Sequence, residues 1–147
     1  MSQLAQLNGD PKMGEAVFRN VNGANCIRCH QLGDTGGLVG PPLTVIAQKL
    51  NKAQLYESIL YPSAAIEMGY ETWIVKTKDG EVLTGRKTED TDTHVTLLDV
   101  DSKYHDIPVE KIDRKVQQKV SMMPEGLTQT MTRQDLVNLV EFLSKRK

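Results

Sequence analysis

Cys26-Ile27-Arg28-Cys29-His30 holds both cysteines of the chain and one of its three histidines. Its spacing is that of c-type haem attachment. Each thiol adds to one of two vinyl groups, so the sulfurs must stand a fixed distance apart on one short turn. The histidine that follows is then held under the iron with Nε2 free to ligate it. Three other readings use the same residues. A thioredoxin-type dithiol follows a strand and opens a long helix, whereas a helical pattern precedes this motif and a Gly-rich stretch follows it. A zinc site needs four ligands; Cys26, Cys29, His30 and one of His94 or His105 could supply them, with an awkward adjacency of Cys29 and His30. A plain disulfide leaves His30 without a role. The haem reading is favoured over these, since it uses all three residues for what their spacing allows.

The flanks agree with it. Gly33, Gly36 and Gly37 tolerate positive φ and close approach to a flat ligand. Gly40-Pro41-Pro42-Leu43 follows. A ligating histidine donates its second ring N–H to a carbonyl or similar group, and a proline-rich segment offers a stiff acceptor. Upstream, Asp10 and Pro11 start a helix running to about Asn20, with Met13, Ala16, Val17 and Val21 as the expected apolar stripe and Gly14 and Phe18 four apart. Asn22-Gly23 ends it. Downstream, a short helical piece is expected within residues 44–50, and Asn51 caps a helix from Lys52 to Leu60 that Tyr61-Pro62 breaks.

From Tyr70 the period changes to two. Glu71–Thr77, Val82–Lys87, His94–Asp99 and Tyr104–Ile107 read as four strands. Asp79-Gly80 predicts a type I′ hairpin between the first two. This is a small antiparallel sheet or barrel. Helix returns at the end: Thr132-Arg133-Gln134-Asp135 is a capping box, and Leu136, Leu139, Val140 and Leu143 recur at helical spacing. Three parts result: 9–69 with the attachment motif, an inserted β subdomain over 70–119, and 120–147 completing the helical part.

The 147 residues include 18 basic and 19 acidic side chains, a net charge of −1, and 39% apolar residues. Residues 70–119 hold nine basic and eleven acidic side chains. No polybasic surface for nucleic acid follows from this balance. No apolar run is long enough to insert directly into a membrane, and the start of the chain has no signal-peptide pattern.

A second axial ligand has His94, His105 and the methionines as candidates. Met13 is expected in the core, Met131 precedes the last helix cap, and Met68 lies beside Gly69. Met122-Met123-Pro124-Glu125-Gly126-Leu127 is the best segment, because Pro124 holds Met123 extended. Trp73, Tyr61 and Tyr70 are expected core residues.

The segments Gly14–Phe18, Cys26–His30, Gly40–Leu43 and Leu136–Leu143 resemble class I cytochrome c. That resemblance implies a mainly α cytochrome c fold, α+β overall, whose first and last helices cross at Gly14 and Phe18. It implies that the Pro41 carbonyl accepts from His30 and that Leu43 packs on the haem. A narrower similarity, from about Gly9 to Leu143, is to the haem-binding domain of Pirellula/Verrucomicrobium type. It rests on Glu57–Ser63, Ile66–Thr72, Lys78-Asp79-Gly80 and Ser121–Leu127. The last resembles a Ser-Leu-Met-Pro-Glu-Gly-Leu motif, with Met122 in place of Leu and Met123 at the ligand position. The β insert resembles an Sm- or SH3-like barrel.

The resemblance implies one covalently attached haem c, with Cys26, Cys29, His30, Pro41, Leu43 and Met123 as cofactor-binding residues and His30 and Met123 on the iron. A monohaem electron carrier follows, not an enzyme in itself. Its partner would be a redox protein or a fused dehydrogenase domain, and its location periplasmic or otherwise outside the cytoplasm, since attachment takes place there. The alternatives are a haem-based sensor with a labile Met ligand, and a peroxidase-like open iron, for which Arg86, Arg114 and His105 are the distal candidates.

Overall fold

The computed structural model describes residues 1–147. A four-residue helix α1 (Ser2–Ala5) precedes α2 (Pro11–Arg19), whose N-terminus Asp10 caps by accepting from the N–H groups of Lys12 and Met13. The stripe expected on α2 is not the buried one. Gly14 and Phe18 are buried, whereas Met13 is 55% and Val21 69% exposed. The reason is the crossing with α4 (Arg133–Ser144). A Cβ on Gly14 would lie 1.9 Å from the Asn138 carbonyl oxygen, so the two backbones touch there and Gly14 sets the facing side. Phe18, one turn on, packs against Phe142 with ring centroids 5.9 Å apart.

Thr132 and Asp135 cap α4 reciprocally, as the box predicts. Burial on α4 is wider than the four-residue stripe and includes Val137, Asn138, Glu141 and Phe142. The two polar members are bonded, as buried polar groups require. Asn138 Oδ1 accepts from Asp10 N–H at 2.9 Å and Gln134 Nε2 at 3.0 Å. Glu141 Oε2 accepts from Lys52 Nζ at 2.5 Å and Gly9 N–H at 3.2 Å. A 3₁₀ turn at Ile46–Gln48 stands where a short helix was expected. Helix α3 (Lys52–Leu60) has an Asn51–Gln54 capping box and buries Leu55, Tyr56 and Ile59. Tyr61 just after it is 59% exposed rather than core.

The β region has five strands: β1 (Thr72–Thr77), β2 (Val82–Asp90), β3 (His94–Leu98), β4 (Tyr104–Pro108) and β5 (Ile112–Gln117). They form one sheet in the order β4-β3-β2-β1-β5, every neighbouring pair antiparallel. The unexpected β5 is an edge strand of mostly exposed polar residues, a composition that hides the period-two signal. The first hairpin is not type I′, which needs positive φ at both central residues. Gly80 has φ +92° but Asp79 does not have positive φ. Thr77 N–H donates to Glu81 O and Gly80 N–H to Thr77 O, closing a three-residue loop. Val75, Val95, Leu97 and Ile107 form the core of the sheet, with Trp73, Leu83 and Ile112 packed against it.

Two compact units result. Residues 1–65 with 124–147 make the helical one, and Ile66–Met123 make the sheet one. The division falls four residues to either side of the expected 70–119.

Candidate functional site

Asn25 opens the site. Its φ of +50° places it in the left-handed region, and a 3₁₀ turn over Cys26–Arg28 follows. This residue was missed, although Asn is among the few side chains that accept such a φ. Cys29 N–H and His30 N–H both donate to Cys26 O, at 3.1 and 2.9 Å, so the two thiols and the imidazole come from a single turn. Both cysteines are free and half-buried. Burial pushes the Cys26 thiol up to about 11 and raises the Cys29 thiol too. Both are protonated at neutral pH.

Residues 31–43 fold back over that turn. Gly37 N–H donates to Ile27 O at 2.9 Å, Gly40 N–H to Cys29 O at 2.8 Å, and Leu43 N–H to Gln31 O at 2.9 Å. The glycines serve this folding. A Cβ on Gly37 would lie 1.7 Å from Arg28 O, so the close approach is to the motif's own backbone. Gly40 lies against the imidazole, where a Cβ would stand 2.5 Å from His30 Cε1.

His30 Nδ1 lies 2.7 Å from the Pro41 carbonyl oxygen. A carbonyl only accepts, so Nδ1 carries the proton and Nε2 keeps its lone pair. Burial lowers the pKa of His30, with the Pro41 bond acting in the opposite direction. The ring is thus held neutral, oriented, and free at one nitrogen. Leu43 is half-buried two residues beyond Pro41.

The remaining candidates lie in the sheet unit or on exposed positions, except Met131, which is half-buried in the helical unit. His94 Nε2 is 2.6 Å from Glu89 Oε2 and His105 Nε2 is 2.7 Å from Asp99 Oδ2, so each imidazole is held by a carboxylate. Met68 is 89% exposed. Met122 and Met123 are half-buried at the end of the sheet unit, and Met123 N–H donates to Ser121 Oγ at 3.1 Å. Trp73 lies under the Lys87 ammonium, 3.9 Å from the ring centroid, and Tyr70 under the Arg86 guanidinium at 4.6 Å. No group of three or more His, Cys, Asp or Glu side chains is arranged to hold a metal ion.

Two free thiols and an imidazole nitrogen on one turn, with glycines where side chains would intrude, suit covalent attachment of an iron porphyrin. The donor set fits haem c, and Gly40 lets the chain lie directly against the imidazole. The turn carries the Cys-x-x-Cys-His pattern in a form open to such a group. The cytochrome c family model matches residues 12–147, and the chain belongs to that family. Membership implies covalently bound haem c and an electron-carrying role. No curated protein matches the chain. No helix is long and apolar enough to cross a membrane.

Proposed function

We propose that the chain is a monohaem c-type domain that passes single electrons, with Cys26 and Cys29 as thioether anchors and His30 and Met123 as axial ligands. The observation that carries this is the 2.7 Å bond from His30 Nδ1 to Pro41 O, which leaves Nε2 as the free donor beside two thiols. Bound haem c supplies the one-electron chemistry. The chain's own residues fix the imidazole, seat Leu43 nearby, and offer a thioether, a ligand that raises the potential relative to a second histidine.

The same reading takes the helical unit as a class I cytochrome fold and the sheet as an Sm- or SH3-like insert. The five-strand order and the 3₁₀ turn at Val109–Lys111 between β4 and β5 support the latter. Kinship to the Pirellula/Verrucomicrobium type rests on Ser121–Leu127 and its companion segments. The protein would work outside the cytoplasm, with a redox protein or a fused dehydrogenase domain as partner.

Visible spectra of the haem-loaded protein test this. At CO concentrations that saturate Met123→Ala, the reduced wild type is expected to show no shift, its own binding being weak and reached only at much higher CO. Met122→Ala is expected to behave as wild type. A wild type that binds CO at once would favour the sensor reading, in which the methionine is labile. CO binding opened by the Met122 change alone would overturn the Met123 assignment.

A further inference from the structure

The pairing of β1 with β5 does not stop at the last ladder pair, Trp73 with Gln117. Gln118 N–H donates to Thr72 O at 2.8 Å. Thr72 Oγ1 then donates to Val120 O at 2.7 Å. One residue on, Ser121 Oγ accepts from Met123 N–H. Thr72 therefore bonds the outgoing chain twice, at 118 through its backbone and at 120 through its hydroxyl.

Thr72 is well placed to hold a segment still. It is 7% exposed, so water does not compete for its hydroxyl. It also pairs with Arg86 across to β2, so the anchor sits on an interior strand. A valine would suit the strand and the burial equally well. What only a hydroxyl adds is the bond to Val120. Met123 lies three residues beyond that bond, and three residues reach at most about 10 Å. A tether that short keeps the thioether at high effective concentration near one place.

We infer that Thr72 is a positioning residue for Met123: through Val120 it fixes the start of the methionine segment, so that the sheet sets how readily the thioether leaves its place. This rests on Met123 being the second axial ligand. Without the hydroxyl bond the free segment begins at Gln118 rather than Val120. The population with the thioether released then grows, and an external ligand binds more tightly by the same factor.

The test is a CO titration of the reduced, haem-loaded protein, with amide hydrogen exchange over residues 118–123 as a second readout. Thr72→Val should raise CO affinity by about two- to tenfold, the range for one hydrogen bond, and speed exchange at Met122 and Met123. Thr72→Ser should restore both. Thr72→Val placed on Met123→Ala should add nothing to CO affinity, because Thr72 acts only through that thioether. The inference is overturned if Thr72→Val matches wild type while Met123→Ala opens the iron, or if its effect persists in the double variant. Failure of Met123→Ala to open the iron would overturn the ligand assignment itself, and this inference with it. Should Thr72→Val not fold, Ser121→Ala tests the same arm from its other end. It should also raise CO affinity and speed exchange at Met123, and wild-type behaviour on both readouts would overturn the inference.

Discussion

The two units hold themselves together in opposite ways. In the helical unit the decisive bonds join the two ends of the chain: Gly9 to Glu141 and Asp10 to Asn138, separated by 132 and 128 residues. In the sheet unit most side-chain ties are local: His94 to Glu89, His105 to Asp99 and Thr96 to Asp106 span ten residues or fewer. Closing a long loop costs chain entropy before any of its contacts form. The helical unit carries that cost, and the sheet lies within the loop being closed. The attachment turn is itself local, since His30 and Pro41 are eleven residues apart. The frame behind it depends on the distant closure.

The sharpest way to break that contrast is at a glycine in each unit. Gly14→Ala places a Cβ 1.9 Å from Asn138 O, against backbone that has no free side chain to swing away. It should cost about 3 kcal/mol or more, read as a fall in the denaturant midpoint with loss of helical signal. Gly69→Ala in the sheet unit meets no atom within 4 Å, and only its φ of +91° opposes the change. It should cost about 1 kcal/mol. Equal costs would mean that close backbone approach is not what holds α2 against α4.

That pair also shows what could be read in the residues alone. The attachment turn, the Asn51 cap, the Thr132–Asp135 capping box and four strands are local patterns, and each is present where the local chemistry places it. The buried side of α2 was not legible in its hydropathy, because the apolar stripe of Met13 and Val21 outweighs a glycine on any hydropathy count. The resemblance to class I cytochrome c did point to Gly14 and Phe18 as the crossing, and both are buried against α4. β5 escaped for a related reason: as an edge strand it buries almost nothing, so its alternation carries no apolar signal. The Asp79-Gly80 turn was recognised as a turn but assigned the wrong type, since one added loop residue moves the positive φ onto Gly80 alone. The role of Thr72 depends on a hydroxyl meeting a carbonyl 48 residues away, which no spacing rule reports.

A middle-sized effect is expected at Glu141, the long-range tie of the helical unit. Burial works to raise its carboxyl, but hydrogen bonds from Lys52, Gly9 and Lys145 outweigh this and leave its pKa below the ordinary 4.5. A depressed carboxylate stabilises the fold in full above that ordinary value and loses the contribution as pH falls through the folded value. Glu141→Gln should therefore cost about 2 kcal/mol at neutral pH and flatten the acid limb of a stability curve below 4.5. An unchanged acid limb would show that this carboxylate does not tie the chain ends.

The smallest effect belongs to the sheet unit and has the opposite sign in pH. The hydrogen bond to Glu89 raises His94 above 6.5; partial burial opposes it and Asp106, 3.8 Å away, adds to it. The hydroxyls of Thr91 and Thr93 face its other nitrogen at 3.2 and 3.1 Å. A raised histidine contributes its full stability below 6.5 and loses it as pH rises through the folded value. The local tie is thus strongest where the long-range one begins to fail. His94→Gln should leave stability unchanged at about pH 8 and lower it slightly at about pH 5.5. An NMR titration of the His94 ring checks the cause directly. A midpoint at or below 6.5 would show that Glu89 does not hold the proton in place, and the sheet's pH dependence would then have to come from its lowered carboxylates at Asp79, Asp90 and Asp99.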